Sequence, residues 1–190
     1  MSVQERKARE RAQRERMIVA VARELAESDG WDAVTTRRLA DRIEYSQPVL
    51  YSHFAGKDAI VAAVALEGFA ELADVLEVRH DTGDPKAEVA ALARSYLAFA
   101  EANPVLYDAM FNMRTDLPFG RDDTPAPLRA AFAAIQDALS PLAGAHHPGV
   151  LAEVAWSALH GIATLSSGGR LPPEFQEERV DVLVELLAGQ

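Results

Sequence analysis

Two short segments near the start of the chain each carry the pattern of a capped helix, and only a few residues separate them. Thr35 is a favourable N-cap for the first segment, and Val34 and Leu39 on either side of it form a hydrophobic staple. Ser46 takes the same position before the second segment, with an aromatic residue one place before it and a leucine four places after it. Pro48 lies in the first turn, where a helix needs no backbone N–H. This spacing predicts two short helices joined by a tight turn.

The second helix is predicted to have an outer face that combines an amide, apolar groups and an aromatic hydroxyl. The residues expected to point outward are Gln47, Pro48, Val49, Tyr51 and His53. Leu50 and Phe54, four residues apart, are expected to point inward. Such a face suits the major groove of DNA, where amides pair with adenine, apolar groups contact thymine methyls and hydroxyls reach phosphates.

The composition of the 190 residues favours an all-α protein, since Ala is abundant and runs of strand-forming residues are nearly absent. The chain has no cysteine, which excludes disulfides and thiolate metal sites. No secretory signal follows the basic start, and the best apolar run, residues 59–66, is too short to cross a bilayer. We therefore expect a cytoplasmic protein without a membrane partner.

The net charge of −10 would ordinarily argue against a nucleic-acid partner, but this charge is unevenly distributed. Residues 1–60 hold 11 Lys/Arg and 10 Asp/Glu, a net of +1. Residues 61–190 hold 8 Lys/Arg and 19 Asp/Glu, a net of −11. The acidic charge thus lies in the part of the chain that need not touch DNA.

Helical periodicity and turn residues predict about nine helices in two domains. Residues 1–56 are expected to form a three-helix DNA-binding domain with a basic N-terminal extension, and residues 57–190 a larger helical bundle. The bundle is expected to begin with a connecting helix from Lys57 to about His80. The later helices are expected at about residues 85–103, 104–113, 127–142, 149–166 and 174–188, with an irregular segment over 114–124.

The sequences TTRRLA and QPVLYSHF, and a Lys three residues after the second, stand in a characteristic order and spacing. On these motifs, residues 15–65 resemble the DNA-binding domain of the TetR family of transcriptional regulators. Residues 156–161, WSALHG, also resemble a C-terminal subgroup of that family marked by a Trp-x-x-x-His-Gly signature. The resemblance implies a homodimer, by family default a repressor, that binds a palindromic DNA operator. It also implies release by a small apolar ligand bound in the C-terminal domain.

The resemblance also implies which residues read the operator. Arg37 is expected to contact a guanine edge through its planar guanidinium, and Gln47 an adenine edge. Pro48 and Val49 are expected to pack on thymine methyls. These four residues would carry the sequence preference of the protein.

Other positions are implied to hold phosphates and so to set register without reading sequence: Thr36, Tyr51 and Lys57. His53 matches a family position beside the DNA backbone. The alternative is that Tyr51 and His53 simply cover the domain surface. Lys57 opposes the dipole of the helix that it begins, so helix stability does not explain it, whereas a bound phosphate does.

The turn between the two short helices departs from the family pattern. The family usually has Gly in this turn, where the present chain has Ile43, Glu44 and Tyr45. Gly is favoured where a helix end needs a positive φ, and Glu there costs about 1 kcal/mol. We expect the turn to form but the orientation of the second helix to differ slightly, so base preferences transfer less well than phosphate contacts.

The basic start of the chain has two interpretations. Residues 2–16 carry six basic and three acidic side chains. They could form an arm that contacts DNA, or a solvated extension of the first helix. The spacing of Glu5, Glu10 and Glu15 among the arginines supports the second interpretation through ion pairs four residues apart.

The last two helices are apolar over more than one stripe, which suggests burial on two sides. Four such helices, two from each chain, would make a two-fold symmetric dimer interface, as the family does. The residues expected there are Val150, Val154, Ala158, Ile162, Leu183 and Leu187.

The middle helices are then expected to enclose the ligand. The candidate ligand-binding residues are Phe69, Tyr96, Phe99, Leu106, Tyr107, Met110, Phe111, Met113, Phe132, Trp156 and His160. As a set they combine aromatic and methionine surface with a few polar tips, as a pocket for an apolar molecule would. Individually, each is better explained as ordinary core, and His160 as a structural hydrogen-bonding group. Ligand binding would favour a conformer in which the connecting helix tilts and separates the two recognition helices.

Other classes of function find less support in the sequence. No phosphate-binding loop, nucleophile elbow or acid–base pair indicates an enzyme, and no cofactor or metal ligand set is predicted. The pairs His146-His147 and Asp122-Asp123 are the basis of a second alternative, a metal-responsive regulator, although adjacent polar residues in loops are usually solvated. A DNA-binding or architectural protein without any small-molecule ligand is a further alternative.

Overall fold

The computed structural model of the chain describes residues 2–77 and 83–189. Over these residues all regular structure is helical, which confirms the all-α prediction. The nine α-helices of the described residues are α1 (Val3–Asp29), α2 (Thr36–Arg42), α3 (Gln47–Tyr51), α4 (Lys57–Leu76), α5 (Pro85–Ala102), α6 (Pro104–Phe111), α7 (Ala126–Leu139), α8 (Pro148–Ser167) and α9 (Gln176–Ala188). Single 3₁₀ turns occupy Trp31–Ala33, Ser140–Leu142 and Pro173–Phe175.

Local signals in the sequence account for most of these boundaries. Gly30, with φ 80°, ends α1 where a stop was predicted, and α5 begins at Pro85 with the Asp84 side chain accepting a hydrogen bond from the Lys86 amide. The connecting helix α4 begins at Lys57 as predicted. Its predicted end near His80 lies outside the described residues.

The chain divides into two compact units. One consists of Met1–Gly68 with Val105–Arg121, and the other of Phe69–Pro104 with Asp122–Gln190. The first unit buries Ile18, Leu39, Leu50 and Ile60 completely or almost so. The second has a core that includes Tyr96, Leu139 and Leu159. The proposed functional division after residue 56 stays a prediction.

Residues 105–121 belong to the first unit, and two contacts hold them against residues 1–68. The indole N–H of the buried Trp31 donates to the carbonyl oxygen of Val105 at 2.9 Å. In α4, Gly68 faces α6, where a Cβ added to it would lie 2.6 Å from the sulfur of Met110. A residue with a Cβ at this position would therefore require the Met110 and Leu106 side chains to shift.

The turn between α2 and α3 has the left-handed conformation expected from the family pattern. Glu44 has φ 59°, and among the described residues no other non-glycine residue has a positive φ. Its neighbour Tyr45 donates its amide to the carbonyl of Ala40 at 2.9 Å, and Glu44 itself donates to Asp41 at 3.4 Å. These two bonds form a Schellman motif, which ends α2 and turns the chain into α3.

We predict that Glu44→Gly stabilises the protein. A residue with a Cβ costs about 1–2 kcal/mol in the left-handed region, and the extra flexibility of Gly in the unfolded chain offsets part of the gain. The free energy of unfolding, measured by urea denaturation, should therefore rise by about 1 kcal/mol. Glu44→Ala is the matched control, because it removes the charge but keeps the Cβ. An equal gain from both substitutions would show that the charge, rather than the backbone, is responsible.

Candidate DNA-binding surface

Helix α2 begins as the sequence predicts. The Thr35 hydroxyl accepts a hydrogen bond from the Arg38 amide at 3.2 Å, so Thr35 is the N-cap. Val34 and Leu39, the predicted staple, are 0% and 1% exposed. The start of α2 is thus fixed on the core of the first unit.

Helix α3 is only five residues long, and its exposed side chains are those predicted for residues 47–51. Gln47 and Pro48 are exposed, and Val49 and Tyr51 are 39% and 51% exposed. Leu50 is completely buried, as expected for the residue that faces inward. One detail differs, because Ser46 occupies the N-cap position without a side-chain hydrogen bond to the helix.

His53 does not point outward, so that expectation is wrong. Its side chain is only 5% exposed, and its Nδ1 lies 3.3 Å from a carboxylate oxygen of Glu15 in α1. Helical periodicity fails here because α3 ends at Tyr51, and the residues after it turn back toward α1. His53 therefore links the end of α3 to α1, and its contact with DNA stays a prediction.

Two of the predicted phosphate-holding residues come together. The hydroxyls of Thr36, the first residue of α2, and Tyr51, the last of α3, lie 3.4 Å apart. This contact links the two helices at their exposed side and places both hydroxyls at one point. The pair forms a hydroxyl site of the kind that contacts a phosphate oxygen.

Of the two adjacent arginines in α2, Arg38 is engaged within the protein. Its guanidinium lies 2.6 Å from a carboxylate oxygen of Asp29, and this hydrogen bond lowers the pKa of Asp29. Arg37 is exposed, and none of the described residues forms an ion pair with it. Of these two adjacent arginines, Arg37 is therefore the one that remains available for an external partner.

Lys57 has a structural partner that the sequence did not reveal. Its half-buried ammonium group donates to the main-chain carbonyl of Trp31 at 2.5 Å. This hydrogen bond stabilises the fold and so explains a lysine at the start of α4. The expectation that only a bound phosphate explains Lys57 is therefore wrong. An ammonium group has three N–H bonds, so the contact with Trp31 leaves donors for a second partner.

The last two helices expose an apolar surface, but not all of it where predicted. On α8, Val150 and Val154 are 54% and 56% exposed, while Ala158 and Ile162 are half-buried. On α9, the predicted interface residues Leu183 and Leu187 are buried within the chain itself. The apolar residues of α9 that are free for a partner are instead Val182 and Leu186, at 48% and 68% exposure.

The predicted ligand-binding residues are divided between the two compact units. Leu106, Tyr107, Met110, Phe111 and Met113 belong to the first unit. Tyr107 and Phe111 have ring centroids 4.6 Å apart, and the Met110 side chain fills the space beside Gly68. The ordinary-core interpretation therefore accounts for Met110 and Tyr107, which are nearly completely buried.

The other candidates, Phe69, Tyr96, Phe99, Phe132, Trp156 and His160, belong to the second unit. The Trp156 indole N–H donates to the hydroxyl of the completely buried Tyr96 at 3.1 Å. The ring centroids of Trp156 and His160 are 6.4 Å apart, which confirms that they share a face of α8. Burial lowers the pKa of His160, so its neutral form is favoured.

The residues considered for metal binding have other surroundings. His147 caps α8, since its Nδ1 accepts a hydrogen bond from the Gly149 amide at 3.1 Å. Within residues 2–77 and 83–189, no group of three or more His, Cys, Asp or Glu side chains is placed to hold a metal ion. Over the same residues, no helix has the length and apolar character required to span a membrane.

A five-residue helix with an exposed amide, apolar side chains and a hydroxyl, joined by a tight turn to a capped helix, defines a helix-turn-helix DNA-binding regulator. Residues 18–64 match the family model "Bacterial regulatory proteins, tetR family". Residues 89–188, more than half of the chain, match the model "Tetracyclin repressor-like, C-terminal domain". The chain therefore belongs to the TetR family of transcriptional regulators. Such regulators are not enzymes, and they often dimerise and bind small molecules.

Individual relatives agree with this assignment. The uncharacterized HTH-type transcriptional regulator YobS of Bacillus subtilis is 34% identical over 97 residues, which are 50% of this chain and 50% of YobS. The uncharacterized HTH-type transcriptional regulator Rv0681 of Mycobacterium tuberculosis is 28% identical over 90% of this chain and 79% of its own length. A solved structure of a protein of unknown function from Rhodococcus sp. RHA1 has a TM-score of 0.74 and 27% identity, covering 92% of this chain and 93% of that chain.

The burial of His160 predicts a pH dependence of stability. Because its pKa is lower in the folded than in the unfolded chain, the unfolded state takes up the proton more readily as the pH falls through about 6.5. Folding stability contributed by the neutral imidazole is therefore present above this pH and lost below it. His160→Gln, which does not titrate, should show a smaller fall in Tm between pH 7.5 and 5.5 than the wild-type chain.

His146, an exposed histidine, provides the matched control. His146→Gln should leave the wild-type difference in Tm between the two pH values unchanged, because the side chain lies exposed at the surface of the folded protein. Identical pH dependence of the wild-type and His160→Gln proteins would contradict the role given to burial.

Proposed function

We propose that this protein is a homodimeric transcriptional repressor that binds a palindromic DNA operator and is released by a small apolar ligand. The observation that carries the proposal is the exposed face of α3, where Gln47, Pro48, Val49 and Tyr51 present hydrogen-bonding and apolar groups outward. One such helix contacts too few base pairs to select a site in a genome, so two copies are required. As a regulator of a bacterial family, the protein is proposed to act in the cytoplasm, where the chromosomal DNA lies.

The accessible residues divide into two groups by chemistry. Arg37 and Gln47 carry planar hydrogen-bonding groups suited to guanine and adenine edges, and Pro48 and Val49 carry apolar surface for thymine methyls. The hydroxyls of Thr36 and Tyr51, together with Lys57, supply donors for phosphate oxygens. His53 has no place in either group, because it is buried against Glu15.

We predict different DNA-binding defects for Gln47→Ala and Tyr51→Phe. The operator is first obtained by selecting duplexes from a random-sequence pool with the wild-type chain. Gln47→Ala should lose about 5- to 150-fold in affinity for the selected operator and show reduced discrimination at one base position in each half-site. Tyr51→Phe should weaken binding to every operator variant by a similar factor, because the hydroxyl contacts no base.

Val3→Ala is a suitable control, since Val3 is an exposed residue at the first position of α1 and outside α2 and α3. Its affinities should equal those of the wild-type chain. Equal losses on every operator variant for Gln47→Ala and Tyr51→Phe would contradict the division between base reading and phosphate holding.

The dimer is proposed to form through the exposed apolar surface of α8 and α9. A groove of about 380 Å³ runs beside Ile162, Phe175, Val182 and Leu186. Phe175, which precedes α9, is 49% exposed, an unusual position for a large aromatic side chain in water. Pairing of this surface with its two-fold copy would cover these side chains and juxtapose four helices, two from each protomer.

We predict that Leu186→Glu breaks the dimer. A carboxylate at the centre of an apolar two-fold interface would be desolvated opposite its own copy, which is strongly unfavourable. By sedimentation at micromolar concentration, the wild-type chain of 20.6 kDa should be a dimer and the variant a monomer, with operator binding lost in parallel. Val75→Glu, at a 37% exposed valine of α4, should remain dimeric. A monomeric wild-type chain would refute this part of the proposal.

The ligand is proposed to bind in the second unit, near Tyr96, Trp156 and His160. These three residues combine aromatic surface with a hydroxyl, an indole N–H and a neutral imidazole, which suits a largely apolar molecule with one or two polar groups. Release requires that the ligand bind the conformer with low DNA affinity more tightly than the other. A screen for small apolar molecules that displace the protein from its operator tests this point. If no molecule displaced it, a ligand-independent regulator would be favoured.

A further inference from the structure

Helix α1 extends well beyond the part of the chain that matches the DNA-binding family model. The match begins at residue 18, whereas α1 begins at Val3 and runs for 27 residues. A capping box forms its start, since Ser2 and Glu5 exchange hydrogen bonds of 2.7 and 3.1 Å between side chain and backbone. Residues 3–17 are therefore four turns of regular helix with a defined beginning.

One face of α1 changes character where the helix leaves the core. Ile18, Ala22 and Leu25 lie on the face that packs into the first unit, at 2% exposure or less. The positions four, seven and eleven residues before Ile18 continue the same face of the helix. These positions are Arg14, Arg11 and Lys7, and all three are exposed. An apolar face thus continues as a basic face.

Intramolecular ion pairs do not account for this basic face. Arg6 pairs with Glu10 and Arg11 with Glu15, as the solvated-helix interpretation expects. No carboxylate among the described residues pairs with Lys7 or Arg14. Two cations without an ion-pair partner therefore lie on the face of α1 that continues its buried face.

The basic face begins beside the candidate DNA-binding helix. The guanidinium of Arg11 donates to the main-chain carbonyl of Ser52 at 3.2 Å, and Ser52 directly follows α3. One turn further along α1, Glu15 contacts His53. These two contacts place the start of the basic face beside the end of α3, and therefore near the surface proposed to bind DNA.

We propose that the face of Lys7, Arg11 and Arg14 binds the phosphate backbone of the DNA that flanks each operator half-site. This inference rests on the proposed function and adds a contact outside the helix-turn-helix. Cations in a row on a helix complement a row of phosphates, whereas the acidic remainder of the chain, with a net of −11 over residues 61–190, does not. At 1.5 Å per residue the extension is about 22 Å long, which corresponds to about six base pairs of flanking DNA.

The test compares two double variants that remove the same number of charges from opposite faces of α1. Lys7→Gln/Arg14→Gln changes the proposed contact face, and Arg9→Gln/Arg16→Gln changes exposed residues on the opposite face. Gln has a helix propensity close to those of Lys and Arg, so both variants should keep the helix, as circular dichroism will verify. Each variant is titrated with two duplexes over a range of salt concentrations. The trimmed duplex contains the selected operator alone, and the extended duplex has six further base pairs on either side.

On the extended duplex, Lys7→Gln/Arg14→Gln should bind about tenfold more weakly than the wild-type chain. The slope of log affinity against log salt should fall by about 3 to 4, since a dimer would lose four phosphate contacts. On the trimmed duplex this variant should match the wild-type chain, and Arg9→Gln/Arg16→Gln should match it on both duplexes.

Two other results would overturn the inference while leaving the proposed function in place: equal losses for both double variants, or no loss for either. The same defect on trimmed and extended duplexes would also overturn it, because the contact would then lie within the operator. Failure of the wild-type chain to select any duplex would refute the proposed function and, with it, this inference.

Discussion

The orientation of α3 relative to α2 depends on Glu44, the left-handed residue of the turn between them. The arrangement of the candidate DNA-binding surface follows from this turn. A helix of five residues has no stability of its own, so its orientation must come from its surroundings. The amide of Tyr45 closes the turn on Ala40, and the burial of Leu50 fixes which side of α3 faces the core. A glutamate in this conformation is strained, which indicates that the rest of the motif is strong enough to impose it.

Long-range side-chain contacts hold the motif on its surroundings and decide which polar groups stay available. Arg38 is engaged by Asp29, His53 by Glu15, and Lys57 by the carbonyl of Trp31. The neighbouring residues Arg37 and Gln47 remain exposed. A similar separation appears along α1, where Arg11 has partners within the protein and the cations on either side of it on the same face have none among the described residues. Residues with a partner inside the protein thus alternate with exposed residues that are proposed to contact DNA.

In the second unit, helices α8 and α9 each have two apolar faces. Each helix contributes one apolar face to the core of its own chain and leaves another exposed. On α9 the two faces are one residue apart, since Leu183 and Leu187 are buried whereas Val182 and Leu186 are exposed. An apolar surface of this extent on a regulator that is proposed to act in pairs is explained most simply by a second copy of the chain.

The sequence alone determined what depends on neighbours within about one helical turn. The Thr35 cap and the Val34–Leu39 staple were predicted from residues close in the chain, and the positive φ of the α2–α3 turn was predicted from the glycine position of the family that the sequence resembles. Tertiary structure decided the rest: that His53 turns inward, that Lys57 binds Trp31, that residues 105–121 join the first unit and that Val182 rather than Leu183 is exposed. The first three depend on contacts between residues far apart in sequence. The last depends on how α9 is rotated about its own axis, because successive residues of a helix point about 100° apart. Packing determines this rotation, and the local sequence pattern does not.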